Sequence, residues 1–169
     1  GEENIVLAAF RMAVKTNPDL RLIIAPRHTT RGDDVARLIA DAGFPMSRRS
    51  FGEDSDAAVY LADTMGEMAL WYSMSAVAFV GGSLMPKGGH TPYEPAAHGC
   101  AILHGPHLRN FAEDYAAFHT ANAAAKVHDA PSLARAFLDS ALHTELAKTA
   151  KNAVQAPDIK SITSDLLAD

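Results

Sequence analysis

Residues 79–99 read FVGGSLMPKGGHTPYEPAAHG. An apolar pair, Phe79 and Val80, stops at Gly81-Gly82; Gly88-Gly89 follow with His90 behind them, and Glu94 stands beside Pro95 ahead of small helix-forming residues. That order predicts a strand handing over to a ligand loop and then to a helix. Glycines let backbone N–H groups approach an anion with no Cβ in the way, and a helix opening near Glu94 aims its positive end at the same place. A phosphate or a sugar nucleotide suits such a loop.

Outward from this stretch, strand and helix patterns alternate. Residues 76–80 are small or β-branched apart from Phe79, as a buried parallel strand requires, and residues 20–25, 59–62 and 101–103 are further short apolar runs. Weaker strands are read at 46–51 and 125–127. Helical spacing marks residues 2–16, 31–42, 68–74, 95–98, 110–120, 131–142, 143–154 and 159–167, with proline opening the helix at 131 and Pro157 separating the last two. Such alternation implies βαβ crossovers: an α/β fold with a doubly wound parallel sheet, covered on both faces.

The bulk properties narrow the function classes. At 169 residues the chain fits one domain with one core, since domains run to about 100–200 residues. A net charge of −5, with Lys and Arg scattered, lacks the basic footprint of a nucleic-acid binder. The longest near-apolar run, 69–80, falls short of the ~20 residues that cross a bilayer, so the chain reads as soluble. One cysteine, Cys100, permits no internal disulfide and reads as a small core residue in a reducing compartment. The start at Gly1-Glu2-Glu3, directly into a helix, suggests a piece of something longer.

In a parallel α/β sheet, ligands sit outside the carboxyl ends of the strands. The loops there are Pro26-Arg27-His28, residues 63–67, residues 81–94 and residues 104–110. Arg27 is placed to take two phosphate or carboxylate oxygens, or else to pair with Asp33 or Asp34 on the surface; His28 beside it is either a ligand group or simply solvated. Thr64 and Glu67 fit a capping box, while Met65 and Gly66 offer backbone to a ligand. Glu94 is placed to accept from two neighbouring hydroxyls, as on a ribose, or to favour its helix by standing in the first turn. There is no GxGxxG, GxxxxGK[ST], GxSxG or HExxH, and no paired-cysteine spacing among the eight histidines and one cysteine. Dinucleotide, P-loop, hydrolase and zinc chemistries are therefore not expected.

Taken together, Ala25-Pro26-Arg27-His28, Asp63-Thr64-Met65-Gly66-Glu67, Phe79-Val80-Gly81-Gly82-Ser83-Leu84, Gly88-Gly89-His90, Glu94-Pro95-Ala96-Ala97 and Gly105-Pro106-His107 with Asn110-Phe111 resemble the 3-deoxy-D-manno-octulosonic acid (Kdo) transferases of Gram-negative bacteria. The resemblance runs from Gly1 to about Leu142. It implies the C-terminal, donor-binding half of a GT-B glycosyltransferase, over residues 1–169 with helices from about 143, that moves Kdo from CMP-Kdo to lipid A precursor in lipopolysaccharide synthesis. The full enzyme would work at the cytoplasmic face of the inner membrane. Acceptor, membrane contact and the proposed catalytic base would belong to a missing first half, so no catalytic residue is expected here and the fragment alone should be inactive.

By the same resemblance, Arg27 and the glycine loops, with Gly82, Ser83, Gly89, His90 and Thr91, would hold the CMP phosphate; His28 lies beside them, Met65, Gly66 and Glu67 would approach the cytidine, and Glu94 would bind the ribose. No metal or other cofactor is implied. Thr91 departs from the pattern, since the family commonly has asparagine after the histidine. A UDP-sugar enzyme of the same fold and a stand-alone nucleotide-binding module are the alternatives.

Overall fold

Val59–Leu61 and Ala101–His104 are wholly buried, and each becomes the middle strand of a three-stranded parallel sheet. The computed structural model describes residues 1–54 and 56–155. They divide into two compact units: residues 1–71 with 129–138, and residues 72–128 with 139 onward. Buried apolar residues cluster within each unit.

In the first unit β1 (Leu22–Ile24), β2 (Met46–Arg48) and β3 (Val59–Leu61) lie in the order β1-β3-β2, with Ile24, Leu61 and Arg48 level at their carboxyl ends. Period-two alternation sends Val59 and Leu61 to one face. There they meet Leu7 and Phe10 of α1 (Glu3–Ala13) and Val35 and Ile39 of α2 (Gly32–Asp41). Tyr60 and Ala62 go to the other face against Trp71, with the Tyr60 and Trp71 ring centroids 5.4 Å apart. The predicted strand at 46–51 is shorter than expected. Arg49–Phe51 coils into a single 3-10 turn that ends at Gly52 in the left-handed region, and this lifts the chain off the sheet.

In the second unit β4 (Val77–Val80), β5 (Ala101–His104) and β6 (Ala124–Lys126) lie in sequence order, with Val80, His104 and Lys126 level. α4 (Tyr93–Ala97) and α5 (Ala112–Thr120) connect them. Their buried residues Ala96, Tyr115 and Phe118 share one core with Val80, Cys100, Ile102 and Ala124. Between the sheets in sequence comes α3 (Met68–Ser73).

The predicted helix at 131–142 is corrected: α6 spans Ala130–Leu138, and α7 starts anew at Ser140 and runs to Gln155. Asp139 makes the break, because its side chain accepts from the Leu142 amide at 2.9 Å and so caps α7. The helix expected at 159–167, Pro157 and the Glu53–Asp56 turn at Ser55 lie outside the described residues.

Candidate functional site

Ser83 is the peg of the glycine loop. Its hydroxyl donates to the Val80 carbonyl at 2.6 Å and accepts from the Gly105 amide at 2.8 Å, while its own carbonyl accepts from the His107 amide at 2.8 Å. The side chain is fully buried and both its hydrogen-bonding capacities are used within the fold. Any contact that Ser83 gives a ligand is therefore limited to its main chain. That is a narrower role than the sequence suggested.

Two more hydrogen bonds fix the loop. The Gly89 amide donates to Gly82 at 2.7 Å, closing the loop's neck, and the Asn110 amide donates to Gly88 at 3.0 Å. The Asn110 side chain fills the space that a Cβ on Gly88 would take, 2.5 Å away, and φ at Gly88 is +99°. No other residue type fits there. Asn110 is among the residues that carry the family resemblance, yet local sequence reasoning gives it no role, because its partner lies 22 residues earlier on a different loop.

Beyond the neck, His90 is exposed and its carbonyl accepts from the Tyr115 hydroxyl at 3.2 Å. Thr91, also exposed, accepts at Oγ1 from the Tyr93 amide at 3.4 Å and so shapes the turn into α4. Glu94 stands in the first turn of α4, exposed to solvent, and the described residues offer its carboxylate no hydrogen bond or ion pair. Nearby, burial first and then the Glu94 charge push the Tyr72 phenol up to about 12. The rigid frame ends in a free carboxylate.

The first unit presents a second group of predicted residues. Arg27 and His28 follow β1 and are exposed. Surface pairing of Arg27 with Asp33 or Asp34 does not occur, since Asp33 pairs with Arg48 at 2.7 Å and Asp34 with Arg37 at 2.6 Å. Met65 is 76% exposed and Gly66 follows it with φ +82°. Glu67 differs from both. Arg49 grips it at 2.6 Å through Nη2 and at 3.1 and 3.2 Å through Nε, and the Thr64 hydroxyl donates to the same carboxylate. These bonds, Arg49 first, hold the Glu67 carboxyl below its ordinary range. The expected capping box is replaced by a charge-assisted clamp.

Asp63, at the other end of that loop, is buried. It accepts from Arg48 Nε at 2.5 Å and from the Ser50 amide and hydroxyl at 3.0 and 2.8 Å. Burial alone would raise its pKa; the Arg48 guanidinium and Ser50 outweigh it and hold the carboxyl low. Adjacent arginines thus fasten both ends of residues 63–67.

His104, at the end of β5, is fully buried beside the peg. Its Nδ1 lies 2.7 Å from the Gly105 carbonyl, which can only accept, so Nδ1 carries the proton. Nε2 is then an acceptor, and the His119 Nε2 3.0 Å away is the donor. Burial first, then the charges of His119, Lys126 and His128, bring His104 down to about 4. Against an unfolded value of about 6.5, protons bind the unfolded chain preferentially between those two values. Stability of the second unit is expected to be full above pH 6.5 and to fall by on the order of 2–3 kcal/mol toward pH 4. Denaturant melts from pH 7 to 5 check this, and in His104→Gln the slope over that window should flatten. The clamped carboxylates titrate at lower pH.

The predicted residues therefore form two groups, Arg27, His28, Met65, Gly66 and Glu67 in one unit and Gly82, Ser83, Gly89, His90, Thr91 and Glu94 in the other. Among the described residues no set of three His, Cys, Asp or Glu side chains is arranged to hold a metal, and no helix is long and apolar enough to cross a membrane.

No protein-family model matches the chain. It is 42% identical over 115 residues to the 3-deoxy-D-manno-octulosonic acid transferase of Haemophilus influenzae, covering 67% of this chain and 27% of that protein. The corresponding transferase of Bordetella pertussis is 37% identical over 139 residues, 80% of this chain and 31% of the relative. Among solved structures, the C-terminal CMP-Kdo binding domain of WaaA from Acinetobacter baumannii superposes with a TM-score of 0.84 at 34% identity, over 92% of this chain and 84% of that one. The chain belongs to the Kdo transferase family. It spans less than a third of the length of these two curated Kdo transferases. The α/β architecture with parallel sheets, read from strand and helix alternation, is shared with the solved CMP-Kdo binding domain.

Proposed function

We propose that the chain binds CMP-Kdo and serves as the donor domain of a glycosyltransferase that moves Kdo to lipid A precursor in lipopolysaccharide synthesis. The observation that carries this reading is Glu94: an unengaged, exposed carboxylate placed immediately after a loop whose backbone is fixed by Ser83, Gly105 and Asn110. A carboxylate so held can accept from two ribose hydroxyls at once, and the 82–91 loop beside it is the candidate seat of the phosphate. In the first unit, Arg27, His28 and the Met65-Gly66 turn are the candidate groups that the fold has left uncommitted.

Loop amides and cationic side chains stabilise a leaving phosphate without a metal, and none is required by this reading. No residue of the chain is assigned the acceptor's proton. Transfer itself, at the cytoplasmic face of the inner membrane of a Gram-negative cell, is the reaction in which this donor site would serve.

Calorimetry with CMP, UMP, UDP and GDP tests the reading. CMP should bind most tightly, and Glu94→Ala should weaken it at least tenfold, about 1.4 kcal/mol. 2′,3′-Dideoxy-CMP should bind the unaltered protein as weakly as CMP binds the variant. A preference for UDP would favour a UDP-sugar enzyme instead, and an unchanged affinity in Glu94→Ala would remove the ribose assignment.

A further inference from the structure

The sugar named by the relatives is an acid. In a 2-ulosonic acid linked to a nucleotide, the carboxylate and the phosphate oxygen are bonded to the same anomeric carbon. A site for such a donor must therefore hold a second anion directly beside the phosphate. Within residues 81–94 the cationic side chain is Lys87, which is exposed and does not line the cavity beside the loop.

The second unit has a cavity of about 300 Å³ alongside that loop, lined by Pro86, Gly88, Pro106, His107, Leu108 and Arg109. This is the lower end of the ~300–1,000 Å³ range of small-molecule sites, enough for one sugar and not for a whole nucleotide sugar. Its walls are fixed. The His107 amide is tied to Ser83 at 2.8 Å and the Asn110 amide to Gly88 at 3.0 Å, so the 81–94 and 105–111 segments cannot drift apart independently. Prolines stiffen both rims.

Two basic side chains, His107 and Arg109, stand on one wall, both exposed, and among the described residues neither pairs with a carboxylate. In the first unit Arg31, Arg37, Arg48 and Arg49 are engaged with acids, while Arg27, like Arg109, is not. A guanidinium fork meets both oxygens of a carboxylate, and an imidazole N–H beside it can take a sugar hydroxyl or a carboxylate oxygen.

We infer that this cavity is the subsite for the acidic sugar of the donor, with Arg109 receiving the carboxylate on the anomeric carbon and His107 a second polar group. The inference rests on the donor reading given above and adds the residue that selects an acidic sugar. Arg109 thereby sets specificity for what the nucleotide carries.

The test compares freshly prepared CMP-Kdo with CMP by calorimetry, in the unaltered chain and in Arg109→Gln and Arg109→Lys. Unaltered protein should prefer CMP-Kdo over CMP at least tenfold; Arg109→Gln should reduce that preference to threefold or less, with Arg109→Lys between. A preference that survives Arg109→Gln, or that is missing from the unaltered protein while CMP still binds, overturns the subsite alone. Failure of the unaltered protein to bind CMP would overturn the donor reading, and the subsite with it.

Discussion

Gly105→Ala is expected to destabilise the second unit by at least about 3 kcal/mol and to abolish the proposed CMP binding at ordinary temperature, because the added methyl has nowhere to go. A Cβ on residue 105 would stand 2.2 Å from the Ser83 carbonyl oxygen and 2.4 Å from the Leu84 nitrogen. Both obstacles are backbone, so no rotamer relieves them. Residue 105 cannot retreat either, since its amide is bonded to the Ser83 hydroxyl and its carbonyl to His104. Gly43→Ala is the control: φ is +69° there but nothing lies within 4 Å, so only the backbone penalty of roughly 1–2 kcal/mol applies. Urea unfolding of the two variants measures the difference. Equal losses would mean that the loop and the 105 segment are not locked as described.

Asp63→Ala should cost the first unit about 3 kcal/mol, and Asp63→Asn less. Asp63 and Arg48 are 1% and 12% exposed in their side chains, so deleting the carboxylate leaves a guanidinium in a low-dielectric setting with only the exposed Asp33 to answer it. The Ser50 amide and hydroxyl also lose their acceptor. Asparagine keeps one oxygen for Ser50 while removing the charge. Thermal unfolding should rank the unaltered chain above Asp63→Asn and that above Asp63→Ala; a loss in Asp63→Ala no larger than that of an exposed surface pair, ~0–1 kcal/mol, would show that the pair is solvated.

Much of this was readable in the residues. Val59–Leu61 and Ala101–His104 announced themselves as buried strands because a central parallel strand is apolar on both faces, and those are the two middle strands found. Glu94 and Arg27 stood out because both follow strand ends, and both keep exposed, uncommitted side chains in the fold. Ser83 and Glu67 were half legible. Their positions at strand ends were right, but their partners, Gly105 and Arg49, lie 22 and 18 residues away, and only the β4–β5 and β2–β3 registers bring them close. The break at Asp139 was missed for a different reason: helical periodicity continues through it, and one capping side chain restarts the helix. The cavity at His107 and Arg109 has no sequence signature, being made by two loops that hydrogen bonds of Ser83 and Gly88 with Gly105, His107 and Asn110 tie together across the chain.

The chain holds one tryptophan and one cysteine, and the fold puts them in different units. Trp71 is buried against Tyr60 in the first unit; Cys100 is buried in the second, its thiol donating to the Tyr72 and Ser75 carbonyls and pushed up to about 11 by burial. A thiol so placed reacts with alkylating reagents only when its surroundings open, whereas indole emission follows the packing of Trp71. Each half of the protein thus carries a built-in clock of its own. With no label introduced, the opening of the glycine loop's unit and that of the arginine-clamped unit can be timed separately in a single sample.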